Sequence, residues 1–316
     1  MSVDRQPVLV TGANGFLGAW ILAGLAAAGR PAVASDLARD TRRLDDLLAP
    51  DRQGAIRWRS CDVGDAEAVG TLVGDTKPAA IVHLAALQIP ACRAAPSLCA
   101  QVNIGGQINV LEAARRHGVP RVIYTSSAAA KPRGPANAPA NLYGVFKKTA
   151  EEIARLYWEA HGVRSLGLRP HIVYGVGRDE GETSAITKAI RAAALGEPYA
   201  MPFATQGCLQ YAGEVADIFC RCVAADWDGA LLSDLTTEQH STDQLLAAIR
   251  AEVPDADIEP SDTIRVSPSQ GFDNTVLRSV IGEWPRTPLA EGVIRTIGQF
   301  RARAAGRHHA APAGST

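Results

Sequence analysis

Short apolar runs, rich in β-branched residues, alternate with longer Ala-rich amphipathic segments through the first half of the chain. Six of these runs predict strands, at residues 7–12, 31–36, 56–65, 79–86, 121–127 and 163–175. The segments between them have the length and periodicity of helices. Because strands that alternate with helices build right-handed βαβ units, the pattern predicts an α/β fold with a doubly wound parallel sheet and helices on both faces.

The pattern changes after about residue 175, where polar segments punctuated by Gly and Pro follow, such as "GVGRDEGETS" and "EVPDADIEPSD". Such segments suit a smaller C-terminal lobe built from insertions. We therefore expect residues 1–175 to form the α/β domain, to which residues 207–235 or so return. Residues 176–302 should form mainly the lobe, and residues 303–316, which lack an apolar period, should be a disordered tail.

Charge and composition exclude several classes of protein. The 32 basic and 33 acidic residues nearly cancel and form no basic stripe, so nucleic acid is not an expected partner. The longest helical apolar run, "AWILAGLAAAG", is far shorter than the ~20 residues that a membrane span needs, and no signal-peptide pattern is visible. The six cysteines have no metal-ligand spacing, so we expect reduced thiols, no bound metal and a cytoplasmic protein.

A glycine-rich loop follows the first predicted strand. In "VLVTGANGFLGAW", Gly12, Gly15 and Gly18 stand directly between a strand and a helix. Glycines there let the backbone approach a pyrophosphate, whose charge is met by N–H groups at the helix N-terminus. The alternative is a tight turn that binds nothing. Asp36 at the end of the next strand favours a dinucleotide, because its carboxylate can accept hydrogen bonds from the ribose hydroxyls.

The same carboxylate would repel a 2′-phosphate, so Asp36 favours NAD over NADP. Arg39, Arg42 and Arg43 lie nearby in the sequence. One of them could turn toward a phosphate, or all three could face solvent on a helix. NAD is the cofactor that we expect.

A tyrosine and a lysine one helical turn apart provide the candidate catalytic pair. In "NLYGVFKKTAEE", Tyr143 and Lys147 share one helix face. They follow "YTSS", which ends the fifth predicted strand, and the glycine loop lies upstream. With these motifs, and with "CDVGD", "HLAA" and "WPRTPLAEGVIRTI", nearly the whole chain resembles the extended short-chain dehydrogenase/reductase family, in its NAD-dependent epimerase/dehydratase branch.

This resemblance implies a Rossmann domain followed by a substrate-binding lobe. It makes Tyr143 the general acid/base, and Lys147 the residue that holds the nicotinamide ribose and lowers the Tyr143 pKa. Ser127 would hydrogen-bond the reacting oxygen. The matched segments imply these cofactor contacts: Gly12, Asn14, Gly15, Phe16, Leu17, Gly18, Asp36, Asp62, Val63, Leu84, Ala85, Ala86, Asn103, Tyr143, Lys147 and Pro170.

Substrate contacts are expected from Ser126, Ser127 and His171. For Ser126 the alternative is a strand-end hydroxyl that a backbone group satisfies, and for His171 it is a packing or loop role. Asn103 would help to order the active-site helix, or it could simply cap or pack. Asp62 could be a loop residue that precedes a helix.

Three departures from the sugar-nucleotide enzymes of this family bear on the substrate. Ile172 stands where many members have an Asn that contacts the nucleotide sugar, and Gly207 stands where many have an Arg that clamps a phosphate. Ala128 and Ala129 replace the Asp-Glu pair that dehydratases use to expel water, so dehydration is not expected. The only nearby basic residues that could replace the missing Arg are Arg178 and Lys188.

The segment between Ser127 and Tyr143 is a short lid, "AAAKPRGPANAPAN", which suggests a small or open pocket. Lys131 and Arg133 in this lid could attract a carboxylate or could simply be solvated. We therefore expect an NAD-dependent oxidoreductase that transfers a hydride between the cofactor and a small hydroxylated substrate, such as a sugar, a sugar acid or another secondary alcohol. The resemblance also implies a homodimer.

Two alternatives remain from the sequence. One is a sugar or nucleotide-sugar epimerase that retains its NAD and returns the hydride to the opposite face of the substrate. The other is a dinucleotide-binding scaffold without turnover, which the presence of both Tyr143 and Lys147 disfavours.

Overall fold

The computed structural model describes residues 6–265, 268 and 271–306 of the chain. In chain order the strands are β1 (Val8–Thr11), β2 (Ala32–Asp36), β3 (Ile56–Ser60), β4 (Ala80–His83), β5 (Val122–Thr125), β6 (Ser165–Arg169), β7 (Ile172–Tyr174), β8 (Tyr199–Ala200), β9 (Ala204–Gly207), β10 (Leu209–Tyr211), β11 (Ala230–Asp234), β12 (His240–Ser241), β13 (Ile258–Glu259) and β14 (Ile264–Arg265). The α-helices are α1 (Phe16–Ala27), α2 (Arg42–Asp45), α3 (Ala66–Thr76), α4 (Ile89–Ala94), α5 (Pro96–Ala100), α6 (Gly106–His117), α7 (Leu142–His161), α8 (Ala185–Leu195), α9 (Ala212–Ala224), α10 (Thr242–Glu252), α11 (Thr275–Ile281) and α12 (Leu289–Ala304).

Seven strands form one parallel sheet in the order β11-β6-β5-β4-β1-β2-β3. The chain first adds strands outward from β1 through β2 to β3, and then returns to add β4 on the other side of β1. The predicted α/β fold with a doubly wound parallel sheet is therefore confirmed. The strand order reverses between β1 and β4, and ligands of such sheets bind in the crevice beyond the carboxyl ends of the strands at this point.

Successive side chains of a strand reach opposite faces of the sheet, and the core divides accordingly. Val8 and Val10 of β1 pack with α1 and α9 on one face. Leu9, between them, packs with α3 and α6 on the other face. The continuous apolar runs in the sequence thus reflect strands that are covered on both sides.

The sixth predicted strand, 163–175, is two strands. β6 ends at Arg169, and β7 begins at Ile172 and leaves the main sheet to pair with β10. Pro170 lies at the break, and a proline has no N–H to donate to a neighbouring strand. The seventh strand of the main sheet is β11, which pairs with β6 along its full length.

Several segments after β7 form short sheets outside the main one. These sheets are β10 with β7, β12-β9-β14, and β13 with β8. The final helix, α12, continues through Ala304, two residues past the boundary predicted for the tail. Arg303 within it forms an ion pair of 2.9 Å with Asp46. The rest of the predicted tail, from residue 307 onward, lies outside the described residues.

The expectation of six reduced cysteines is wrong for one pair. Cys92 on α4 and Cys99 on α5 are joined by a disulfide, with their Cα atoms 5.0 Å apart. The two helices follow each other directly, so the turn between them brings the two side chains together. The other cysteines are free thiols, namely Cys61, Cys208, Cys220 and Cys222.

Within the described part of the chain, no helix is both long enough and apolar enough to cross a membrane. The same residues contain no group of three or more His, Cys, Asp or Glu side chains that could hold a metal ion.

Candidate active site

The glycine loop lies where the carboxyl ends of β1 and β4 meet. Gly12 has a φ of +70°, and a Cβ atom there would lie 2.6 Å from the backbone nitrogen of Ala85. No other residue fits this conformation at such a close approach. A Cβ atom at Gly18 would lie 2.9 Å from the Cα atom of Ala13. Gly15 is the N-cap residue before α1 and has no side chain to cap it, so the helix N-terminus offers its N–H groups to an anion.

Asp36 lies at the end of β2 and contacts the same loop. Its Oδ2 atom accepts a hydrogen bond from the Asn14 nitrogen at 3.0 Å, and its Oδ1 atom accepts one from the Leu37 nitrogen at 2.9 Å. The carboxylate also lines a cavity at this edge of the sheet, where it remains able to accept hydrogen bonds from a ribose.

The arginines that could have turned toward a 2′-phosphate have other contacts. Arg39 lies over the Trp58 ring at 5.8 Å, Arg42 pairs with Asp40 at 2.6 Å, and Arg43 pairs with Asp179 at 2.7 Å. A phosphate would have to compete with these contacts. The arrangement fits NAD better than NADP.

A cavity of about 460 Å³ runs along the carboxyl edge of the sheet from the glycine loop to Tyr143. The predicted substrate residues Ser126, Ser127 and His171 line it. Most predicted cofactor residues do as well, namely Gly12, Gly15, Phe16, Leu17, Gly18, Asp36, Asp62, Val63, Leu84, Ala85, Ala86, Tyr143 and Pro170.

Three predicted cofactor residues are not among those that line the cavity, namely Asn14, Asn103 and Lys147. Asn14 shapes the loop, because its Nδ2 atom donates to the Ala38 carbonyl at 2.7 Å. Asn103 is buried in a π-helical turn, Gln101–Gly105, where it accepts from the Leu87 nitrogen at 2.7 Å and donates to the Leu87 carbonyl at 3.0 Å. Both asparagines therefore hold segments that line the cavity.

Tyr143 and Lys147 face the sheet from the first turns of α7. The Lys147 Nζ atom lies 5.8 Å from the centre of the Tyr143 ring and donates to the Thr125 carbonyl at 2.6 Å. Ser127 and Tyr143 both line the cavity, and the Ser127 hydroxyl acts to lower the pKa of Tyr143. Lys147 lies next to Tyr143, so the three predicted catalytic side chains belong to one region of the structure.

Burial governs the protonation of this pair. It raises the pKa of Tyr143, while the Ser127 hydrogen bond and the charge of Arg178 act in the opposite direction. Burial also lowers the pKa of Lys147 to about 8, against the raising effect of Glu151. The effect of Lys147 on the Tyr143 pKa stays a prediction. Arg178 is a further cation that acts on Tyr143, and the sequence did not reveal it.

A buried carboxylate on α7, which the sequence did not reveal, lies close to these residues. Glu151 accepts two hydrogen bonds from Arg169, at 2.7 and 2.6 Å, and a third from the Ser126 hydroxyl. The Ser126 hydroxyl therefore has a side-chain partner. The two partners considered for it from the sequence were the substrate and a backbone group. Glu151 lies four residues after Lys147, so the two side chains share one face of α7. This spacing is the feature of the sequence from which a second polar residue on the buried face could be predicted.

His171 occupies the space beside Gly207. Its Nδ1 atom accepts a hydrogen bond from the Cys208 nitrogen at 3.1 Å, and a Cβ atom at Gly207 would lie 2.8 Å from the same Nδ1 atom. Ile172, the other departure from the family pattern, is fully buried in the apolar core. Neither position offers a donor to a phosphate.

The two basic residues of the lid have different surroundings. Lys131 is buried, pairs with Asp234 at 2.7 Å and donates to the Gly271 carbonyl at 2.7 Å, so it is neither solvated nor part of the cavity wall. Arg133 lines the cavity and donates to the Ala128 carbonyl at 3.3 Å.

A sequence model of the NAD dependent epimerase/dehydratase family matches residues 8–225. The chain belongs to this family. Its resemblance to the extended short-chain dehydrogenase/reductases is confirmed, and NAD, which Asp36 favoured, is its cofactor. The family contains epimerases and dehydrogenases, and both chemistries are compatible with this fold.

Relatives of both kinds are similar over nearly the full chain. The UDP-glucose 4-epimerase of Mycolicibacterium smegmatis is 29% identical over 310 residues, covering 93% of this chain and 98% of the relative. The UDP-glucose 4-epimerase of Thermus thermophilus in complex with NAD has a TM-score of 0.74 at 23% identity, covering 94% and 99% of the two chains. An L-threonine dehydrogenase from Cupriavidus necator has a TM-score of 0.79 at 22% identity, covering 92% and 99%.

Proposed function

We propose that this family member is a dehydrogenase that transfers a hydride between NAD and a secondary alcohol of a small substrate. The observation that carries the proposal is the contrast between the two ends of the substrate site. Ser127 and Tyr143 line the cavity together, whereas the side chains at positions 172 and 207 offer no donor to a diphosphate. A diphosphate would therefore lack the two side-chain contacts that the sugar-nucleotide enzymes of this family supply there.

Each catalytic side chain has a defined task in this reaction. NAD, when bound, supplies the hydride acceptor. Tyr143 accepts the proton of the substrate hydroxyl through its phenolic oxygen, and Ser127 donates a hydrogen bond that aligns the reacting oxygen. Lys147 holds the nicotinamide ribose and, with its pKa of about 8, is mostly protonated at neutral pH.

The cofactor contacts predicted from the sequence belong to the proposed site. Gly12, Gly15 and Gly18 would bind the pyrophosphate, because the uncapped N-terminus of α1 offers N–H groups there. Asp36 would bind the adenosine ribose, because its carboxylate lines the cavity and can accept hydrogen bonds. Residues 1–175, with the returning segment 207–235, would form the NAD-binding domain. Residues 176–302 would mainly form the lobe that binds the substrate.

A UDP-sugar epimerase is the second candidate, and the near full-length similarity to the Mycolicibacterium smegmatis epimerase favours it. The two candidates differ in what leaves the enzyme. A dehydrogenase releases NADH, whereas an epimerase keeps its cofactor and returns the hydride. A scaffold without turnover is disfavoured because Ser127, Tyr143 and Lys147 are all present and close together.

Purified protein incubated with NAD and a panel of sugars, sugar acids and alcohols tests the proposal. We expect absorbance of NADH to appear with at least one secondary alcohol. If no substrate of the panel yields NADH while UDP-glucose is converted to UDP-galactose, the epimerase is correct and the dehydrogenase is not.

We also propose a homodimer formed through α6 and α7. Large apolar side chains remain exposed on these helices in the single chain, namely Ile108, Leu142, Val145 and Leu156. Their burial against a second copy would remove apolar surface from water. Light scattering during gel filtration should give twice the mass of the 33.3 kDa chain.

A further inference from the structure

We propose that the substrate carries a carboxylate, which Arg178 and Arg265 bind at the end of the cavity beside Tyr143. This inference rests on the hydride transfer proposed above and adds the chemical class of the substrate. Both guanidinium groups line the cavity that contains Ser127 and Tyr143.

Arg178 lies on the loop that follows β7, next to the catalytic tyrosine. Its guanidinium donates to the Thr183 hydroxyl at 3.1 Å and lies 5.8 Å from the centre of the Phe16 ring. Among the described residues no carboxylate forms an ion pair with it. Burial lowers its pKa, whereas the charges of Asp179 and Glu180 raise it, and the Arg178 charge acts on Tyr143. Because neither carboxylate forms an ion pair with this largely buried cation, a directly bound anion of the substrate would stabilise it.

Arg265 reaches the same cavity from the lobe. It donates to Glu182 at 3.2 Å and lies 5.5 Å from the centre of the Phe203 ring. Glu182 is also shared with Arg93, at 3.4 Å, so one carboxylate serves two guanidinium groups. Glu182 therefore cannot neutralise both guanidinium groups.

Nearby positive charges also act on His171. Its pKa is lowered to about 3, mainly by burial and further by the charges of Arg133, Arg265 and Lys131. The imidazole is therefore neutral at working pH. Because its Nδ1 atom accepts from the Cys208 nitrogen, the ring proton is on Nε2, which makes the imidazole a hydrogen-bond donor at the cavity wall.

A carboxylate matches this wall better than a diphosphate does. The planar guanidinium fork pairs with a carboxylate through two parallel hydrogen bonds. Asp179 and Glu180 also line the cavity, and they would repel a second negative charge. The site therefore suits a substrate with one negative charge better than one with two.

The carboxylate takes no part in the chemical step. The carbon that bears the hydroxyl gives its hydride to NAD, the hydroxyl proton passes to the phenolate form of Tyr143, and the C–O bond becomes a carbonyl. The products are NADH, a proton and a keto acid that retains its carboxylate. The two arginines would therefore position the substrate and select it.

Matched pairs of substrates test the inference on the full chain with NAD. D-galacturonate and D-glucuronate are compared with D-galactose and D-glucose, and L-threonine with its amide. We expect NADH formation with at least one acid, at a kcat/KM at least ~10-fold above that of its neutral counterpart, because charge-assisted hydrogen bonds contribute this much or more.

In Arg178→Gln and Arg265→Gln this ratio of acid to neutral kcat/KM should fall toward one. Arg278→Gln, an exposed arginine on α11 that pairs with Glu283, should leave it unchanged.

The possible failures are distinguishable. If the neutral compounds are oxidised as well as the acids, or if neither arginine variant changes the ratio, the carboxylate site is wrong while hydride transfer stands. If no compound yields NADH, calorimetry with the acids on the NAD-loaded protein decides the binding question. Absence of binding that depends on Arg178 then overturns the carboxylate site, and conversion of UDP-glucose without NADH release overturns the dehydrogenase itself.

Discussion

The imidazole of His171 fills the space that a side chain at Gly207 would need. A Cβ atom at position 207 would lie 2.8 Å from the His171 Nδ1 atom, which is also the atom that accepts the Cys208 N–H. His171 and Gly207 are 36 positions apart in the sequence, and relatives carry an arginine at the second position. The histidine ring packs in the space that the missing side chain leaves. The ring lines the cavity because the glycine is small.

Gly207→Ala should therefore displace the His171 ring and leave the Cys208 N–H without its acceptor. We expect the free energy of unfolding to fall by about 1–3 kcal/mol, the usual cost of an unsatisfied buried donor, and substrate turnover to fall while NAD still binds. Denaturant unfolding and calorimetry with NAD measure the two effects. Gly298→Ala on α12, where nothing lies within 4 Å of the added Cβ atom, is the matched control. Equal stability of the two variants would refute the packing argument.

Asp36→Ala should narrow the preference for NAD over NADP. The substitution removes the carboxylate that accepts from the ribose and repels a 2′-phosphate. Binding constants for both cofactors, measured on the wild type and on the variant, give the preference directly. Asp75→Ala, an exposed aspartate on α3, should keep the wild-type ratio. Tighter binding of NADP than of NAD by the wild type would contradict the role given to Asp36.

Tyr143→Phe removes the proton carrier and leaves the glycine loop and Lys147 in place. Turnover should drop at least ~100-fold, the lower range for general acid/base catalysis, while NAD affinity is retained. Tyr157→Phe, a partly buried tyrosine on the same helix, should keep both properties. Turnover near the wild-type value in Tyr143→Phe would exclude this tyrosine from the mechanism.

Glu151→Gln should destabilise the protein and shift its pH profile. The free energy of unfolding should fall by about 3 kcal/mol, because the partly buried Arg169 loses its anionic partner. Loss of the negative charge also disfavours protonated Lys147, whose pKa should fall below about 8, since Glu151 raises it. The alkaline limb of kcat should therefore move to lower pH, and Glu151→Asp should restore part of the shift.

Glu152→Gln is the matched control for this variant. Glu152 is the next residue on α7, and its side chain is 47% exposed in ion pairs with Lys148 and Arg155. Exposed pairs contribute little, so neither stability nor the pH profile should change appreciably. An unchanged pH profile in Glu151→Gln would limit Glu151 to a structural role.

UDP-glucose should bind the NAD-loaded protein no better than millimolar, a free energy near ~4 kcal/mol. The reason is that Ile172 is buried in the core and Gly207 carries no donor, so the diphosphate would lack partners there. Calorimetry with UDP-glucose and with UDP measures this directly. Micromolar binding would favour the epimerase over the dehydrogenase.

The sequence by itself determined the features that depend on neighbouring residues. The strand periodicity predicted the parallel sheet, and the spacing of Gly12, Gly15 and Gly18 between a strand and a helix predicted the cofactor loop. The four-residue spacing of Tyr143 and Lys147 predicted their shared helix face. Such signals are local, because a helix turn or a strand–turn–helix unit is fixed by a few consecutive residues.

Only the tertiary structure decided which distant residues surround the substrate. Arg265 enters the cavity from β14, Arg178 reaches Tyr143 from the loop after β7, and His171 fits beside Gly207 because β7 leaves the main sheet at Pro170. These contacts join segments that are far apart along the chain, and no periodicity encodes them. They arise when short sheets pack against the core, and packing depends on the shapes of all the side chains at once.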